Sequence, residues 1–206
     1  MLSANDLECV RGERRLFSGL NFAMQPGTLL AVRGVNGSGK TSLLRMMCGL
    51  LTPAAGTLNW NDREIGKAGE EFRSNLLYLG HLNGLKDELN AAENLRLSLH
   101  IAGIAVDEAQ AVAALDWSGL RERRHQPCGT LSQGQRRRVA LARLKLSQSR
   151  PLWILDEPFT ALDVASVERT RDLIVDHLAG GGMVALTTHQ EVPITAPTTL
   201  PIELGA

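Results

Sequence analysis

The sequence predicts an α/β fold built on a parallel sheet with helices on both faces. Three observations carry this. The runs Leu29–Val32, Leu152–Leu155 and Met183–Leu186 are apolar without interruption, as strands buried on both faces are. Helical spacing alternates with them, over residues 42–48, 132–147 and 164–179. Residues 34–41 read G-x-x-x-x-G-K-T between the first strand and the first helix, a glycine loop in the strand-loop-helix context that this pattern needs.

Along the chain, residues 2–33 read as β-strands joined by turns. Leu7, Cys9, Leu16, Leu20 and Phe22 supply apolar positions, and Gly12, Gly19 and Pro26-Gly27 supply the breaks. The helix after the glycine loop ends near Gly49. Thr57–Trp60 and Asn75–Leu79 read as short strands. Residues 90–100 suit a helix, and Asp107 is placed to cap another that runs to Leu115. Gly180-Gly181-Gly182 breaks the helix over 164–179. Pro193, Pro197 and Pro201 make the tail extended, with room for one edge strand. A single domain over 1–206 is expected, with a core from 1–84 and 131–206 and a helical insertion over about 85–130.

Composition narrows the function. The 206 residues carry 22 Lys+Arg and 22 Asp+Glu, and a net charge of zero argues against a nucleic-acid binder working by bulk charge. The longest apolar run, around Leu43–Leu51, is broken by Arg45 and Gly49 and falls far short of the roughly 20 residues of a membrane span. No signal peptide is visible. Cys9, Cys48 and Cys128 have neither a zinc spacing nor a disulfide framework. A soluble, cytosolic chain is the expectation, still able to dock on a membrane partner.

The glycine loop is the strongest chemical signal. Glycines let backbone N–H groups turn inward around a polyphosphate, and the following helix adds the positive end of its dipole. Gly34, Val35, Asn36, Gly37, Ser38, Gly39, Lys40 and Thr41, with Ser42 beyond, are therefore the candidate nucleotide-binding residues. Lys40 suits the β- and γ-phosphates, and the Thr41 hydroxyl suits Mg²⁺. Asp156-Glu157 ends a buried strand, where ligands of open α/β sheets lie. Asp156 can hold Mg²⁺ through water, and Glu157 can orient the attacking water; a solvated turn is the plainer alternative. Leu131-Ser132-Gln133-Gly134-Gln135 opens a helix. Ser132 reads either as a helix cap or as part of a second anion site, about ninety residues from the first and free to serve a nucleotide on a partner chain. His189 can reach a γ-phosphate or be structural. The arginine clusters read most simply as solvated faces.

With these motifs in order, the chain resembles the ABC-type ATPases over essentially its full length: the glycine loop, the Leu131–Gln135 signature, Asp156-Glu157, Asp163 in Ala161-Leu162-Asp163, and His189. The resemblance implies a P-loop nucleotide-binding fold with a parallel core sheet, an antiparallel β-subdomain and a helical subdomain. It implies ATP and Mg²⁺ as cofactors, with Glu157, His189 and Lys40 catalytic. It also implies a homodimer sandwiching two ATP molecules, each between one glycine loop and the other copy's Ser132–Gly134. The family's adenine-stacking aromatic is replaced by Arg11, whose guanidinium plane can also stack. Gln133 stands where the signature usually has glycine, and His81 stands at the position of the usual loop glutamine. His81, the string Tyr78-Leu79-Gly80-His81 and the stretch Val139–Leu144 resemble one subfamily, the ATP-binding subunits of bacterial cytochrome c biogenesis and haem export. That resemblance implies integral membrane partners of the CcmB/CcmC type at the cytoplasmic face of the inner membrane, and hydrolysis that drives release of a haem chaperone. A soluble ABC-type ATPase of cofactor assembly, the subunit of another small-substrate transporter, and a nucleotide sensor remain rivals. A repair ATPase does not, because the span from Thr41 to Leu131 is too short for coiled-coil arms and lacks heptads.

Overall fold

The computed structural model describes residues 1–205. Two sheets lie around a shared core. The first is antiparallel, with β1 (Leu2–Arg11) between β2 (Arg14–Met24) and β4 (Ala55–Trp60), and the two-residue β5 (Arg63–Glu64) beside β4. Leu2, Ala4, Leu7 and Cys9 of β1 are buried while most of the residues between them are not, the alternation of a sheet covered on one face. The second sheet is parallel. Its order is β6 (Leu76–Leu79), β7 (Leu152–Asp156), β8 (Met183–Thr187), β3 (Thr28–Gly34) and β9 (Thr198–Leu204). All five residues of both β7 and β8 are buried. Pro201, which cannot donate to a ladder, is tolerated because β9 is an edge strand.

Helices cover both faces of the parallel sheet. On one side α1 (Lys40–Met47) and α2 (Ile65–Ser74) fill the space toward the antiparallel sheet, so Leu43, Met46 and Phe72 share one apolar core with Leu152 and Ile154 of β7. On the other side α5 (Gln133–Lys145) and α6 (Val164–Ala179) place Ala140, Leu141, Leu144, Leu173 and Ile174 against Trp153 and Leu155. A third apolar cluster joins α3 (Ala91–Ile101) and α4 (Glu108–Trp117) to Val139 and Ala142 of α5. Helix α5 is therefore shared between the sheet and the α3–α4 pair. Asn90, Asp107 and Ser132 each form a reciprocal cap with Glu93, Gln110 and Gln135, contributing about 1 kcal/mol apiece.

Helix α2 had no counterpart in the sequence reading between Asp62 and Asn75. It carries Gly66 and Gly69, turns left-handed at Gly69 (φ 51°), and buries only Ala68 and Phe72, so its apolar signal is short and broken.

At the far end of the sheet from the glycine loop, the His177 ring stacks on Trp153 at 3.8 Å and 2°. It is 8% exposed, and Gly182 lies so close that a Cβ there would meet Nε2 at 2.2 Å. Burial pushes the imidazole down to about 4, against a weaker upward pull from the Pro151 carbonyl. An unfolded histidine titrates near 6.5, so the unfolded chain binds the extra proton first as pH falls. The stability this neutral ring confers is complete above about pH 6.5 and is lost progressively toward pH 4. Urea midpoints across that window should fall more steeply for the parent than for His177→Phe. Parallel slopes would contradict the neutral, buried ring.

Candidate functional site

The parallel topology brings the C-terminal ends of β3, β7 and β8 to one edge, and each delivers a different group there. Beyond β3, the loop runs into α1 through Gly39, whose φ is 107°. A Cβ at Gly39 would meet Leu16 and the Phe17 ring at 3.2 Å, so both the backbone angle and the space select glycine. Lys40 is 9% exposed and folds back over the loop, its Nζ donating to the carbonyls of Gly34 at 2.8 Å and Val35 at 3.2 Å.

Asp156, at the end of β7, is 2% exposed. Its Oδ2 accepts from the Thr41 hydroxyl at 2.9 Å and its Oδ1 from the Thr187 hydroxyl at 2.7 Å. Thr187 is the register partner of Asp156 on β8, and its Oγ1 also accepts from the Glu157 N–H at 3.0 Å. Glu157 sits in the left-handed region, φ 52°. Its carboxylate turns away from that of Asp156 toward His189, accepting from the His189 N–H at 3.3 Å, with Oε1 3.4 Å from the imidazole Nε2. Two adjacent carboxylates thus face two directions, one toward the loop hydroxyl and one toward a histidine.

A cavity of about 550 Å³ opens between these groups. Asn36, Gly37, Gly39, Lys40, Thr41, Ser42, Asp156, Glu157 and His189 line it, together with Leu16, His81, Thr160 and Gln190. A loop of N–H groups, a helix N-terminus and a lysine suit a polyphosphate. The convergent Thr41 hydroxyl and Asp156 carboxylate are hard oxygen donors that fit Mg²⁺, which takes one or two protein ligands and fills its shell with water and phosphate oxygens. The Glu157–His189 pair sets a carboxylate beside an imidazole at the cavity wall, two groups whose chemistry includes accepting and donating protons.

The other candidates lie elsewhere. Arg11 is exposed at the end of β1, opposite Arg14, and does not line the cavity; Leu16 supplies its apolar wall instead. Leu131 is buried in the α3–α5 cluster. Ser132 Oγ accepts from the Gln135 N–H at 3.3 Å while Gln135 Oε1 accepts from the Ser132 N–H at 2.9 Å. A Cβ at Gly134 would lie 2.5 Å from the Ala161 carbonyl, so glycine alone allows the start of α5 to seat on that turn. Gln133 reaches only a narrow gap shared with His81, Asn83, Arg137, Glu157 and Thr160. Asp163 caps α6 through the Ser166 N–H at 2.8 Å, and its bonds to Ser166 hold the carboxyl below the usual range.

The solvated reading of the arginines fails at Arg137, which is 4% exposed, and at the half-buried Arg143, whose guanidinium burial pushes down. Both lie on parts of α5 turned toward the protein interior. Thr187 was missed although it ends an apolar strand; strand register, which sequence does not display, makes it the partner of Asp156.

Among the described residues no helix is long and apolar enough to cross a membrane. Residues 17–160 match the family model described as ABC transporter. The chain is 54% identical to the cytochrome c biogenesis ATP-binding export protein CcmA of Dechloromonas aromatica, over 100% of both chains. It is 55% identical to the protein of the same name from Nitrosomonas europaea, over 96% of this chain and 92% of the relative. The Pseudomonas aeruginosa protein of that name is 49% identical over 100% of both. Among solved structures, an ABC transporter ATP-binding protein from Pyrococcus furiosus superposes with a TM-score of 0.82 at 24% identity, covering 97% of this chain and 96% of that one. An ATP-binding cassette captured as a dimer with ADP and Pi gives 0.78 at 23%, covering 92% and 88%. The chain belongs to the ATP-binding subunits of the ABC transporter family, in the branch of the cytochrome c biogenesis ATP-binding export proteins.

Proposed function

We propose that this chain binds and hydrolyses ATP as the motor subunit of a bacterial inner-membrane ABC complex for haem export and cytochrome c maturation, with hydrolysis driving release of a haem chaperone. The observation that carries the ATPase reading is the convergence of Thr41, Asp156, Glu157 and His189 on the glycine-loop cavity. The maturation reading draws on relatives near 50% identity that span the chain.

In this reading Lys40 exchanges its loop carbonyls for the β- and γ-phosphate oxygens. Thr41 and Asp156 would hold Mg²⁺, which when bound would supply positive charge to the phosphate oxygens. Glu157 orients the attacking water and takes its proton, and His189 steadies both Glu157 and the transferring phosphoryl group. Two copies face each other, so that the N-terminus of α5 at Ser132–Gly134 closes over the partner's nucleotide.

The membrane partners, of the CcmB/CcmC type, seat at Leu82, which stands 85% exposed directly after the cavity residue His81. Contact there lies one residue from the nucleotide site. The chain on this account is peripheral, at the cytoplasmic face.

Glu157→Gln should keep ATP affinity, lose hydrolysis by roughly 10²- to 10⁴-fold and accumulate dimers with ATP on size exclusion. Hydrolysis at the parent rate would remove Glu157 from the mechanism. Leu82→Asp should abolish copurification with integral membrane proteins while leaving the isolated chain's ATP turnover intact; undiminished copurification would move the docking surface elsewhere.

A further inference from the structure

Arg137 is a buried cation with no carboxylate partner among the described residues. Its bonds go to neutral acceptors. One terminal nitrogen donates to the Gly80 carbonyl and to Asn83 Oδ1, each at 3.1 Å. The other donates to the carbonyls of Asp156 at 2.8 Å and Glu157 at 2.7 Å. A guanidinium is planar and rigid, so these four acceptors are fixed relative to one another, which a point-charge ammonium could not do. Gly80 and Asn83 flank His81; Asp156 and Glu157 carry the carboxylates. Arg137 itself is absent from the wall of the large cavity.

We infer that Arg137 is a positioning residue for ATP hydrolysis: its guanidinium holds the Glu157 backbone and the His81 loop in one fixed arrangement. The inference rests on the proposed role of Glu157. Glu157 adopts a left-handed backbone (φ 52°), which a residue with a Cβ rarely takes without support. Its N–H is held by Thr187 and its carbonyl by Arg137, so its peptide groups are clamped on both sides and its carboxylate is aimed at His189. Arg137 also rides on α5, five residues after Ser132, about 7.5 Å along the helix axis. A tilt of α5 therefore moves the Asp156-Glu157 carbonyls and the His81 loop together. The helix end assigned to the partner's nucleotide is joined through one side chain to the water-activating residue of its own copy.

The test compares Arg137→Gln and Arg137→Lys by fluorescent-nucleotide binding and steady-state hydrolysis, with circular dichroism to confirm folding. Arg137→Gln should lose roughly 100-fold in kcat with KM within about threefold of the parent, because sub-ångström misplacement costs turnover rather than binding. Arg137→Lys should recover only part. Asn83→Ala, which removes one acceptor and leaves the fold intact, should lower kcat by a smaller factor at the same KM. A parent kcat in Arg137→Gln overturns the inference. So does a fall in nucleotide affinity that accounts for the whole loss. Measured alongside, an active Glu157→Gln sinks the underlying role of Glu157, whereas an inactive Glu157→Gln beside a fully active Arg137→Gln sinks the positioning role alone.

Discussion

The Asp156 carboxylate is the group on which the rest of the site depends. At 2% exposure it has given up water, and it survives as a buried acceptor because two hydroxyls replace that water, Thr41 at 2.9 Å and Thr187 at 2.7 Å. Those hydroxyls come from α1 and β8, while the carboxylate comes from β7. One acidic side chain thus ties the glycine-loop helix to two central strands. Losing it would take the acceptor from the buried Thr187 hydroxyl and the half-buried Thr41 hydroxyl and would remove the link between the loop helix and the sheet edge.

Why the chemistry gathers at this edge follows from the strand direction. Parallel strands end together, so the loop after β3, the carboxylates after β7 and the Thr187–His189 segment after β8 are neighbours in space although 115 residues separate Thr41 from Asp156. The fully buried β7 and β8 anchor that edge in the core. Trp153 and Leu155 point into one face, Leu152 and Ile154 into the other, and the alternation leaves Asp156 at the exit of the sheet. The polar residues that follow inherit a fixed origin, which lets two adjacent carboxylates point to different partners.

Much of this was legible before any coordinates. Unbroken apolar runs mark strands buried on both faces, and Asp107 and Ser132 stand where caps belong, with Gln110 and Gln135 three residues on. The glycine loop declares itself by composition and context. What escaped has a common cause, namely that it depends on contacts between distant segments. Arg137 looks like one of a polar run, yet Asp156 at the end of β7 and Glu157 just beyond it present two carbonyls that pull it inward. Arg11 occupies the expected position for a base contact, yet Leu16, which with Phe17 presses against Gly39, forms the apolar wall. Helix α2 is interrupted by glycines, and only its packing of Phe72 against Trp60 and the first core defines it.

In the proposed function, the cavity of one copy is half of a working site. The glycine loop, Thr41 with Asp156, and the Glu157–His189 pair are assembled within the chain, while Ser132–Gly134 opens a helix outside that cavity. Helix α5 belongs to both the sheet and the α3–α4 cluster, so it can present its N-terminus outward and still report inward through Arg137. The most direct test mixes Lys40→Ala copies with Ser132→Arg copies and measures ATP turnover. Each alone should be inactive, and an equal mixture should recover about a quarter of the parent rate, because random pairing makes half the dimers mixed and each mixed dimer holds one complete site. A mixture as inactive as its components, beside a monomeric form that hydrolyses at the parent rate, would contradict a site shared between two copies.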